Sequence, residues 1–250
     1  MIEQITKDEF TNMIVKYHYS KVLPKLNKLF LGDRELKAVM SLGWGVRPVH
    51  TIRKIFPNLG TADYFEIGKM CIADEMPKNT ATKFISRVIK YLKVNEPQIK
   101  VLFTWADGML GKCGYVYQAA NFLYGGYIWT DTYFSESGEK IHPRATGVIG
   151  GRPSRDYQKN NGWVHFKGKQ FRYVYFLTGK KEVELLIQTS PFQWVRGGAK
   201  GNDLAWRKDV DGEWKESKPP DYVSSAVGFS KGGLNSIRRN KQGILFPVDA

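Results

Sequence analysis

Apolar residues near the start of the chain recur at helical spacing. Phe10, Ile14 and Tyr17 lie three or four positions apart, so that they share one side of a helix. The segment Thr6-Lys7-Asp8-Glu9 directly before them has the form of a capping box, in which Thr6 accepts from the Glu9 amide and the Glu9 side chain reaches back. These features together predict a helix over residues 7 to 17.

The middle of the chain alternates strand-like and helix-like apolar patterns. Residues 36 to 45 indicate a strand or hairpin, and residues 64 to 72 indicate a strand ended by Asp74-Glu75-Met76-Pro77. Asn79 is a good N-cap for the helix that follows. The apolar stripe of that helix consists of Phe84, Ile85, Val88, Ile89, Tyr91 and Leu92.

A continuous apolar run follows this helix and completes a βαβ unit. Asn95-Glu96-Pro97 ends the helix, because proline disfavours the helical conformation of the residue before it. Residues 99 to 105 are then apolar almost without interruption, which is typical of a buried parallel strand. The three elements predict two neighbouring parallel strands joined by a right-handed crossover.

The second half of the chain gives a weaker pattern. Residues 111 to 121 fit a short helix, and residues 122 to 134 fit a long strand broken by Gly125-Gly126. Residues 135 to 161 predict a loop. Two further strands are expected at 163–166 and 171–177, around Lys167-Gly168-Lys169, and beyond residue 190 no clear periodicity remains.

This order of elements predicts an α/β fold, a mixed central sheet with flanking helices. We expect residues 1–190 to form one domain and residues 191–250 to form a basic, loop-rich extension packed on it. A chain of 250 residues with 42% hydrophobic residues can bury a substantial core. No apolar run reaches the length needed to span a membrane, and two cysteines form no disulfide framework, so we expect a soluble, cytoplasmic protein without membrane partners.

The net charge of +14 favours a polyanionic partner, because cationic side chains that contact phosphates release bound counterions. A protein that is merely soluble and basic remains the alternative. The four histidines and two cysteines show no zinc-like spacing, so we expect no structural zinc.

The most informative segment is Thr104-Trp105-Ala106-Asp107, followed by a glycine-rich turn and a short aromatic helix. An acid that closes an apolar strand loses solvation when buried, so it needs a partner or a chemical role. Asp107 is therefore a candidate functional residue, and the alternative is an acid that caps the next turn. Tyr117 on the short helix is a second candidate, and the alternative is a core tyrosine with a satisfied hydroxyl.

Several segments together resemble the bacteriophage Mom family of DNA adenine modification proteins, within the acyltransferase fold called GNAT. The resemblance covers about residues 15 to 180 and depends on the order of its motifs rather than on any one of them. Those motifs are His18-Tyr19-Ser20, Glu66-Ile67-Gly68-Lys69, Asn79-Thr80-Ala81-Thr82, Thr104-Trp105-Ala106-Asp107, Gly111 with 117–122, Ile141-His142-Pro143-Arg144 and 171–176.

The resemblance implies an activity and a set of catalytic positions. Members of the family attach a carbamoylmethyl group to the exocyclic amine of adenine in duplex DNA, which protects phage DNA from host restriction. Their catalytic Arg, Ser, Asp and Tyr correspond here to Lys69, Thr82, Asp107 and Tyr117. Thr82 keeps a hydroxyl, whereas Lys69 keeps the charge but not the planar fork of arginine.

The chemistry of other residues predicts where a donor molecule binds. Asn79 and Thr80 lie at a helix N-terminus, where backbone amides bind anions, and Gln118 and Asn121 have amide groups that pair well with adenine or else hold loops together. The donor is acetyl-CoA or another activated small molecule. The usual pyrophosphate loop of GNAT enzymes, Arg/Gln-x-x-Gly-x-Gly/Ala, is absent, and residues 74–79 stand in its place.

Double-stranded DNA is the expected macromolecular partner. His18, Tyr19 and Ser20 form a polar-aromatic turn suited to stacking and phosphate contact, although a helix-end histidine also caps carbonyls. The other candidates for phosphate contact, chosen on charge and loop context, are Arg144, Arg152, Arg155, Arg238 and Arg239.

Two other functions remain open at this point. One is an acyl-CoA N-acyltransferase that acts on a small amine or a protein. The other is a non-catalytic DNA-binding protein that blocks restriction by occupying DNA, which the charge of +14 and the lysine at position 69 both favour.

Overall fold

The computed structural model describes residues 1–18, 23–45, 47–136, 138, 140–141, 153–220, 237–239 and 245–247. The helices are α1 (Lys7–Tyr17), α2 (Pro48–Ile55), α3 (Thr80–Asn95), α4 (Tyr115–Ala119), α5 (Arg155–Asn160) and α6 (Lys180–Thr189). The strands are β1 (Ile2–Gln4), β2 (Leu26–Asp33), β3 (Ala38–Trp44), β4 (Tyr64–Ile72), β5 (Val101–Asp107), β6 (Leu123–Ser135), β7 (Lys140–Ile141), β8 (Trp163–Phe176), β9 (Trp206–Val210), β10 (Glu213–Ser217), β11 (Ile237–Arg239) and β12 (Leu245–Pro247). None of the described helices is long and apolar enough to cross a membrane.

Ten of these strands form one mixed sheet in the described part of the chain. Its main order is β1-β2-β3-β4-β5-β8-β6-β7, and the hairpin of β9 and β10 joins it through β8. The neighbours β4 and β5 run parallel with α3 as their crossover, as the βαβ pattern predicts, and the other recorded pairs are antiparallel. A separate two-stranded sheet pairs β11 with β12.

Helices cover both faces of the sheet. Along the first face, α3 packs through Phe84, Val88 and Leu92 against β3, β4 and β5. On the other face, α1 packs against β3 and β4, while α2 and α6 pack against β4, β5 and β8. The alternation of side chains along each strand explains this division, since Leu102 belongs to the α3 layer and Phe103 to the α2 and α6 layer.

The N-terminal helix forms as the sequence predicts. Thr6 accepts a hydrogen bond from the Glu9 amide at 3.2 Å, and Glu9 accepts one from the Thr6 amide at 2.8 Å. The capping box therefore satisfies two backbone amides that the first turn of a helix leaves without partners. Phe10 and Ile14 are fully buried against β3 and β4.

Strand β8 differs from the two short strands expected at 163–166 and 171–177. It is one continuous strand of 14 residues that runs through Lys167-Gly168-Lys169. One edge pairs with β6, while the other edge pairs with β5 along its C-terminal half and with β9 along its N-terminal half. Pairing on both edges stabilises an extended conformation that the glycine and two lysines do not favour by themselves.

Residues beyond 190 join the main domain in the described part of the chain. Trp194 is buried against Gly125, where an added Cβ would lie 2.1 Å from the indole ring. Gly125 is thus a point of close approach within β6, which is continuous but shifts its register against β8 between Tyr124 and Tyr127. The strands β9 and β10 extend the main sheet, so residues 206–217 are part of the same layer as residues 163–176. Residues 135–161, expected as a loop, also contain the short helix α5.

Candidate active site

The two parallel strands separate and leave a gap between them. They pair only where Tyr64–Glu66 lies beside Val101–Phe103. Just beyond this point, the register of β3 against β4 shifts by one residue, since Ser41 lies opposite Lys69 and Leu42 lies opposite Ile67. Gly68 is the extra residue of this bulge, which re-aims β4 where it leaves β5.

A cavity of about 410 Å³ fills the gap. Its walls come from the separated ends of β4 and β5, from the turn before α4 and from the first residues of α4. The lining residues are His18, Ile67, Gly68, Lys69, Met70, Thr104, Trp105, Ala106, Asp107, Gly111, Lys112, Cys113, Gly114, Tyr115, Val116 and Tyr117. The structure therefore brings together four of the predicted site residues, which are His18, Lys69, Asp107 and Tyr117.

Asp107 is the last residue of β5 and caps the short turn that follows it. Its Oδ1 accepts a hydrogen bond from the Met109 amide at 3.1 Å, so the capping role considered from the sequence is present. The same residue lines the cavity. The amide thus fixes the orientation of a carboxylate at the cavity wall, as a positioned acid or base requires.

A tryptophan from the C-terminal part of the chain holds the turn that caps Asp107. The indole Nε1 of Trp206 donates to the Met109 carbonyl at 3.1 Å, and Met109 itself packs against Phe134 and Phe166. Trp206 therefore contacts the residue whose amide orients the Asp107 carboxylate. The sequence gives no local signal of this contact, because 97 positions separate Trp206 from Met109.

Tyr117 projects from α4 into the same cavity. Burial raises the pKa of the Tyr117 phenol, and a hydrogen bond with the Thr104 side chain offsets part of that shift. The ring packs against Phe122 and Tyr173, with centroids 5.5 and 5.7 Å away. A phenol whose pKa is raised stays protonated near neutral pH and is suited to donate a proton rather than to accept one.

Gln118, predicted as a donor-binding residue, makes its hydrogen bonds inside the protein. Its Nε2 donates to the Tyr173 hydroxyl at 2.9 Å and to the Ala199 carbonyl at 2.8 Å. It does not line the cavity, and these contacts agree with the alternative that it holds loops together. Asn121 closes α4 with a left-handed backbone and also lies away from the cavity lining.

The cavity receives side chains from both faces of the sheet. Asp107 lies on the face of Phe103, which packs against α2 and α6, and Lys69 lies on the same face as Cys71, which packs against α1. Thr104 alternates to the α3 and α4 face, where it meets Tyr117. An acid and a phenol therefore approach the gap from opposite faces.

Glu66, a motif residue that sequence reasoning assigned no role, lies at the last paired position before the gap. Burial raises the pKa of its carboxyl to about 7, and a hydrogen bond from the Gly45 amide offsets part of that effect. Gly45 is so close that an added Cβ would lie 2.7 Å from a Glu66 oxygen. Glu66 is outside the cavity lining, and an acid within the apolar pattern of β4 is the sequence signal that marks it.

The N-terminal end of α3, predicted as part of the site, lies outside this cavity lining. Asn79 occupies the N-cap position as expected, but it has a left-handed backbone and its side chain makes no capping hydrogen bond. The Thr80 hydroxyl donates to the Pro77 carbonyl at 2.7 Å, so it is turned back towards its own loop. Thr82 is half-buried on α3. None of the three lines the cavity.

The predicted nucleic-acid residues have different positions. His18 is buried, ends α1 as its C-cap and lines the cavity. Arg155 begins α5, with its Nε 3.9 Å from Asp209 Oδ2, and lines a separate cavity of about 280 Å³. Arg238 and Arg239 belong to β11. Tyr19, Ser20, Arg144 and Arg152 lie outside the described residues.

Metal ligands do not cluster in the described ranges. No group of three or more histidine, cysteine, aspartate or glutamate side chains there is arranged to hold a metal ion. Cys113 lines the cavity as a buried thiol whose pKa is raised by burial. A raised pKa disfavours the thiolate, which is the form that binds metals or attacks as a nucleophile.

Comparison with known proteins adds two findings. A sequence model of the Mom protein family matches residues 1–193. The chain is also 28% identical over 185 residues to "Methylcarbamoylase mom" of Escherichia phage Mu, and the match covers 70% of this chain and 76% of the phage Mu protein. The family match includes the separated strands and the helix that bears Tyr117. The family match ends before Trp194 and Trp206.

Proposed function

The chain belongs to the Mom protein family, and from that premise we propose that it is a transferase that modifies adenine in duplex DNA. The added group is of the carbamoylmethyl type, and the acceptor is the exocyclic amine of the base. One observation carries this proposal. Asp107 and Tyr117, an oriented carboxylate and a protonated phenol, line the same cavity from opposite faces of the sheet.

Asp107 is the proposed general base. The exocyclic amine of adenine is a poor nucleophile, because its lone pair is delocalised into the ring, so removal of its proton assists attack. The Asp107 carboxylate accepts that proton while the nitrogen forms a bond to the methylene carbon of the donor. The Met109 amide holds the carboxylate in one orientation, which reduces the reorganisation needed for the transfer.

Tyr117 is the proposed general acid. As the bond between the methylene carbon and its leaving group breaks, that group takes the electron pair and needs a proton. The Tyr117 phenol supplies it, and its raised pKa keeps the proton available near neutral pH. The new nitrogen–carbon bond and the two proton transfers balance the reaction, with one proton leaving the amine and one reaching the leaving group.

Lys69 contributes a positive charge on the same face of the sheet as Asp107. A lysine at the position of the family's arginine stabilises negative charge as a point charge, without the two-pronged geometry of a guanidinium. We assign it to the donor or to the developing charge of the leaving group. Thr82 keeps the hydroxyl expected from the family, but its place outside the cavity lining gives no support to direct contact with the reacting atoms.

A GNAT-like fold is part of the proposal. Its support is the pair of parallel strands that separate after Glu66 and Phe103, the bulge at Gly68 in β4 and the short helix α4 after β5. A ligand-binding gap between separated parallel strands suits group transfer, because both reactants reach it at the carboxyl ends of the two strands.

The residues at the start of α3 do not fit the usual CoA pyrophosphate loop. Pro77 and the left-handed Asn79 stand in that segment, and the Thr80 amide donates to the Pro77 carbonyl at 3.3 Å. Transfer of an acetyl group would also create an amide carbonyl on the nitrogen, whereas a carbamoylmethyl product requires a bond to a methylene carbon. The proposed donor is therefore an activated small molecule that does not bind as acetyl-CoA binds to the pyrophosphate loop of other GNAT enzymes.

The target base must leave the duplex to reach the cavity. The adenine amine faces the major groove, but a cavity between two strands admits a base only after flipping, which costs a few kcal/mol. Trp105, which lines the cavity, offers a surface for stacking. The biological role proposed with this chemistry is protection of phage DNA from host restriction, in the cytoplasm of the infected cell.

Mass spectrometry of nucleosides tests the proposal. DNA from cells that produce this protein is digested, and the adenosine fraction is compared with that from cells that produce the Asp107→Asn variant at the same level. We expect a new adenosine derivative with the mass of a carbamoylmethyl adduct in the first sample alone. An unmodified profile in both, with intact protein and DNA binding, would instead favour a DNA-binding protein that acts by occupancy.

A further inference from the structure

A surface outside the cavity combines cations with aromatic rings. It lies on β6, β8 and β9, where Trp129 pairs with Lys169 and Lys167 pairs with Arg207. We call the four residues Tyr127, Trp129, Lys169 and Arg207 the cation–aromatic ridge. Tyr127 is 46% exposed and Arg207 is exposed, so the ridge is open to solvent.

Contacts within the ridge fix the positions of its two cations. The Lys169 ammonium lies 4.4 Å from the ring centroid of Tyr127 and 5.9 Å from that of Trp129. The guanidinium carbon of Arg207 lies 4.5 Å from the Trp129 centroid. A cation held over a ring face loses less side-chain entropy when it meets an anion than a freely rotating one does.

The ridge continues the face of the sheet that carries α4. Lys169, Phe171 and Tyr173 occupy alternate positions of β8, so they share one face of the sheet. The rings of Phe171 and Tyr173 belong to the core under α3 and α4. Asp107 pairs with Gln170, the neighbour of Lys169, so the ridge begins one residue along β8 from the cavity wall. The ridge therefore lies on the face of the sheet from which Tyr117 enters the cavity, opposite to the face of Asp107.

A short segment links the ridge with the edge of the cavity. The Lys169 ammonium donates to the Asp203 carbonyl at 2.8 Å, and the Gly201 amide donates to the hydroxyl of Tyr115 at 3.1 Å. Tyr115 lines the cavity and is 60% exposed. Exposed Lys112 at the cavity edge and exposed Lys200 in the segment add positive charge along the same path.

Among the described residues, two acids lie beside the ridge in the register of its strands. Asp131 lies 3.0 Å from the Nε2 of His165 and 4.0 Å from the Lys167 ammonium. Glu216 is exposed and pairs in register with Arg207. Its removal therefore increases the positive charge beside Arg207.

We propose that the cation–aromatic ridge binds the phosphate backbone of duplex DNA beside the target base. This inference rests on the proposed function for its partner, but it assigns a surface that is separate from the catalytic cavity. Lys169 and Arg207 contact phosphates, and Tyr127 and Trp129 hold the two cations in place. Phosphate contacts fix the register and orientation of the duplex while a neighbouring base enters the cavity.

The positive charge of this path suits duplex DNA. The path runs from the cavity edge at Tyr115 across Gly201 and Asp203 to the ridge, and successive phosphates lie several ångströms apart along a strand. A flipped base needs its flanking duplex held, because otherwise rotation of the DNA removes the base from the cavity. Binding that depends on phosphate contacts is sensitive to salt, which makes the proposal measurable.

Equilibrium binding to a short labelled DNA duplex, measured against salt concentration with the full-length chain, tests the proposal. The variant Lys169→Ala with Arg207→Ala removes both cations, and Lys180→Ala with Lys181→Ala removes two exposed cations from α6 on the opposite face. We expect the ridge variant to bind roughly fivefold to tenfold more weakly, with a salt slope shallower by about two, and the α6 variant to bind as wild type does.

Glu216→Lys supplies a gain of binding that unfolding cannot imitate. We expect a steeper salt slope and tighter binding of the duplex. The proposal is overturned if the ridge and α6 variants weaken binding equally, or if the ridge variant has no effect. It is also overturned if the wild type does not bind, or if it binds single-stranded nucleic acid more tightly than duplex. The ridge variant could lose binding while DNA from cells that produce the wild-type protein carries no modified adenine. In that case the proposed chemistry fails and the ridge assignment stands.

Discussion

The β5–α4 wall of the cavity and the N-terminal end of α3 look alike in sequence, because each consists of polar side chains at or after the end of a buried strand. Only the wall lines the cavity. On the wall, a turn amide orients Asp107 and a core of aromatic rings fixes Tyr117. At α3, a left-handed residue and a hydroxyl bonded to its own loop use the polar groups locally.

The two segments differ in how far along the sequence their hydrogen-bond partners lie. The wall is held by residues distant in sequence, such as Trp206 on Met109 and Ala199 on Gln118. The hydrogen bond of Thr80 reaches only three positions back. A site for chemistry needs side chains fixed by a supporting shell, and the wall meets this criterion better than the start of α3 does.

The largest expected effect is that of Asp107→Asn. The amide keeps the size of the carboxylate and can still accept from Met109, but it cannot take a proton. We expect the rate of adenine modification to fall by about 10² to 10⁴, with melting temperature and DNA affinity close to wild type. Single-turnover kinetics with purified protein and duplex measure the loss. A change below about threefold would remove Asp107 from the chemistry.

Tyr117→Phe comes next. The ring keeps its contacts with Phe122 and Tyr173, whereas the proton donor is lost. We expect turnover to fall by roughly 10-fold to 100-fold with little change in DNA affinity. Parallel binding and rate measurements decide the role, since equal loss of both would make Tyr117 a binding or packing residue.

Trp206→Phe tests whether the distant support of the wall matters. It removes the indole hydrogen bond to the Met109 carbonyl and keeps an aromatic ring beside Phe134 and Phe166. A lost hydrogen bond of about 1 kcal/mol corresponds to roughly fivefold in rate if it positions Asp107. We expect turnover to fall by this factor at unchanged DNA affinity.

Trp214→Phe is the matched control, because Trp214 lies on the same hairpin but packs on His165 and Lys167. We expect it to leave turnover unchanged. Equal rate losses in the two tryptophan variants would show that the hairpin acts through stability alone.

Glu66→Gln tests whether Glu66 is a buried acid that affects stability alone or an acid that takes part in the reaction. The unfolded carboxyl titrates near 4.5 and the folded one at about 7. Between these values the folded state binds more protons, so ionisation of Glu66 lowers stability as pH rises through this window. We expect Glu66→Gln to relieve up to about 3 kcal/mol of this loss at pH 8 and to change little at pH 4.5.

Urea unfolding at the two pH values measures this difference, with exposed Glu213→Gln as the control. Modification activity should stay near wild type. A rate loss comparable with that of Asp107→Asn would place Glu66 in the reaction and weaken the comparison of the two regions.

The smallest effects are expected at the start of α3. Asn79→Ala and Thr82→Val remove polar groups that lie outside the cavity lining, so we expect less than about a twofold change in modification rate. Steady-state rates at several donor concentrations test this. A tenfold rise in the apparent KM for the donor would restore this helix end as a binding site and break the comparison.

Local patterns predicted the elements that depend on local interactions. The capping box gave α1 its observed bounds, and the apolar stripe gave the helix between β4 and β5. The placement of Asp107 at the end of β5 followed from a continuous apolar run. The wall of the cavity was thus visible in the sequence as a strand end followed by a short helix.

Contacts between distant segments were not visible. The continuity of β8 depends on pairing with β5, β6 and β9, and a propensity argument across Gly168 favours a break. Trp206 supports the turn after Asp107 from 97 positions away, and no spacing rule relates the two. The local use of the Thr80 hydroxyl likewise depends on the turn at Pro77, which the motif alone does not specify.

The central claim is that the gap between β4 and β5 receives a flipped adenine at Asp107. A structure of the full chain with Asp107→Asn bound to a duplex that contains the target site tests it most directly. The account predicts that the exocyclic nitrogen of the extruded adenine lies about 3 Å from the side chain of residue 107, with the flanking phosphates on the cation–aromatic ridge. A target base that stays stacked in the duplex, or that enters any other part of the protein, would contradict it.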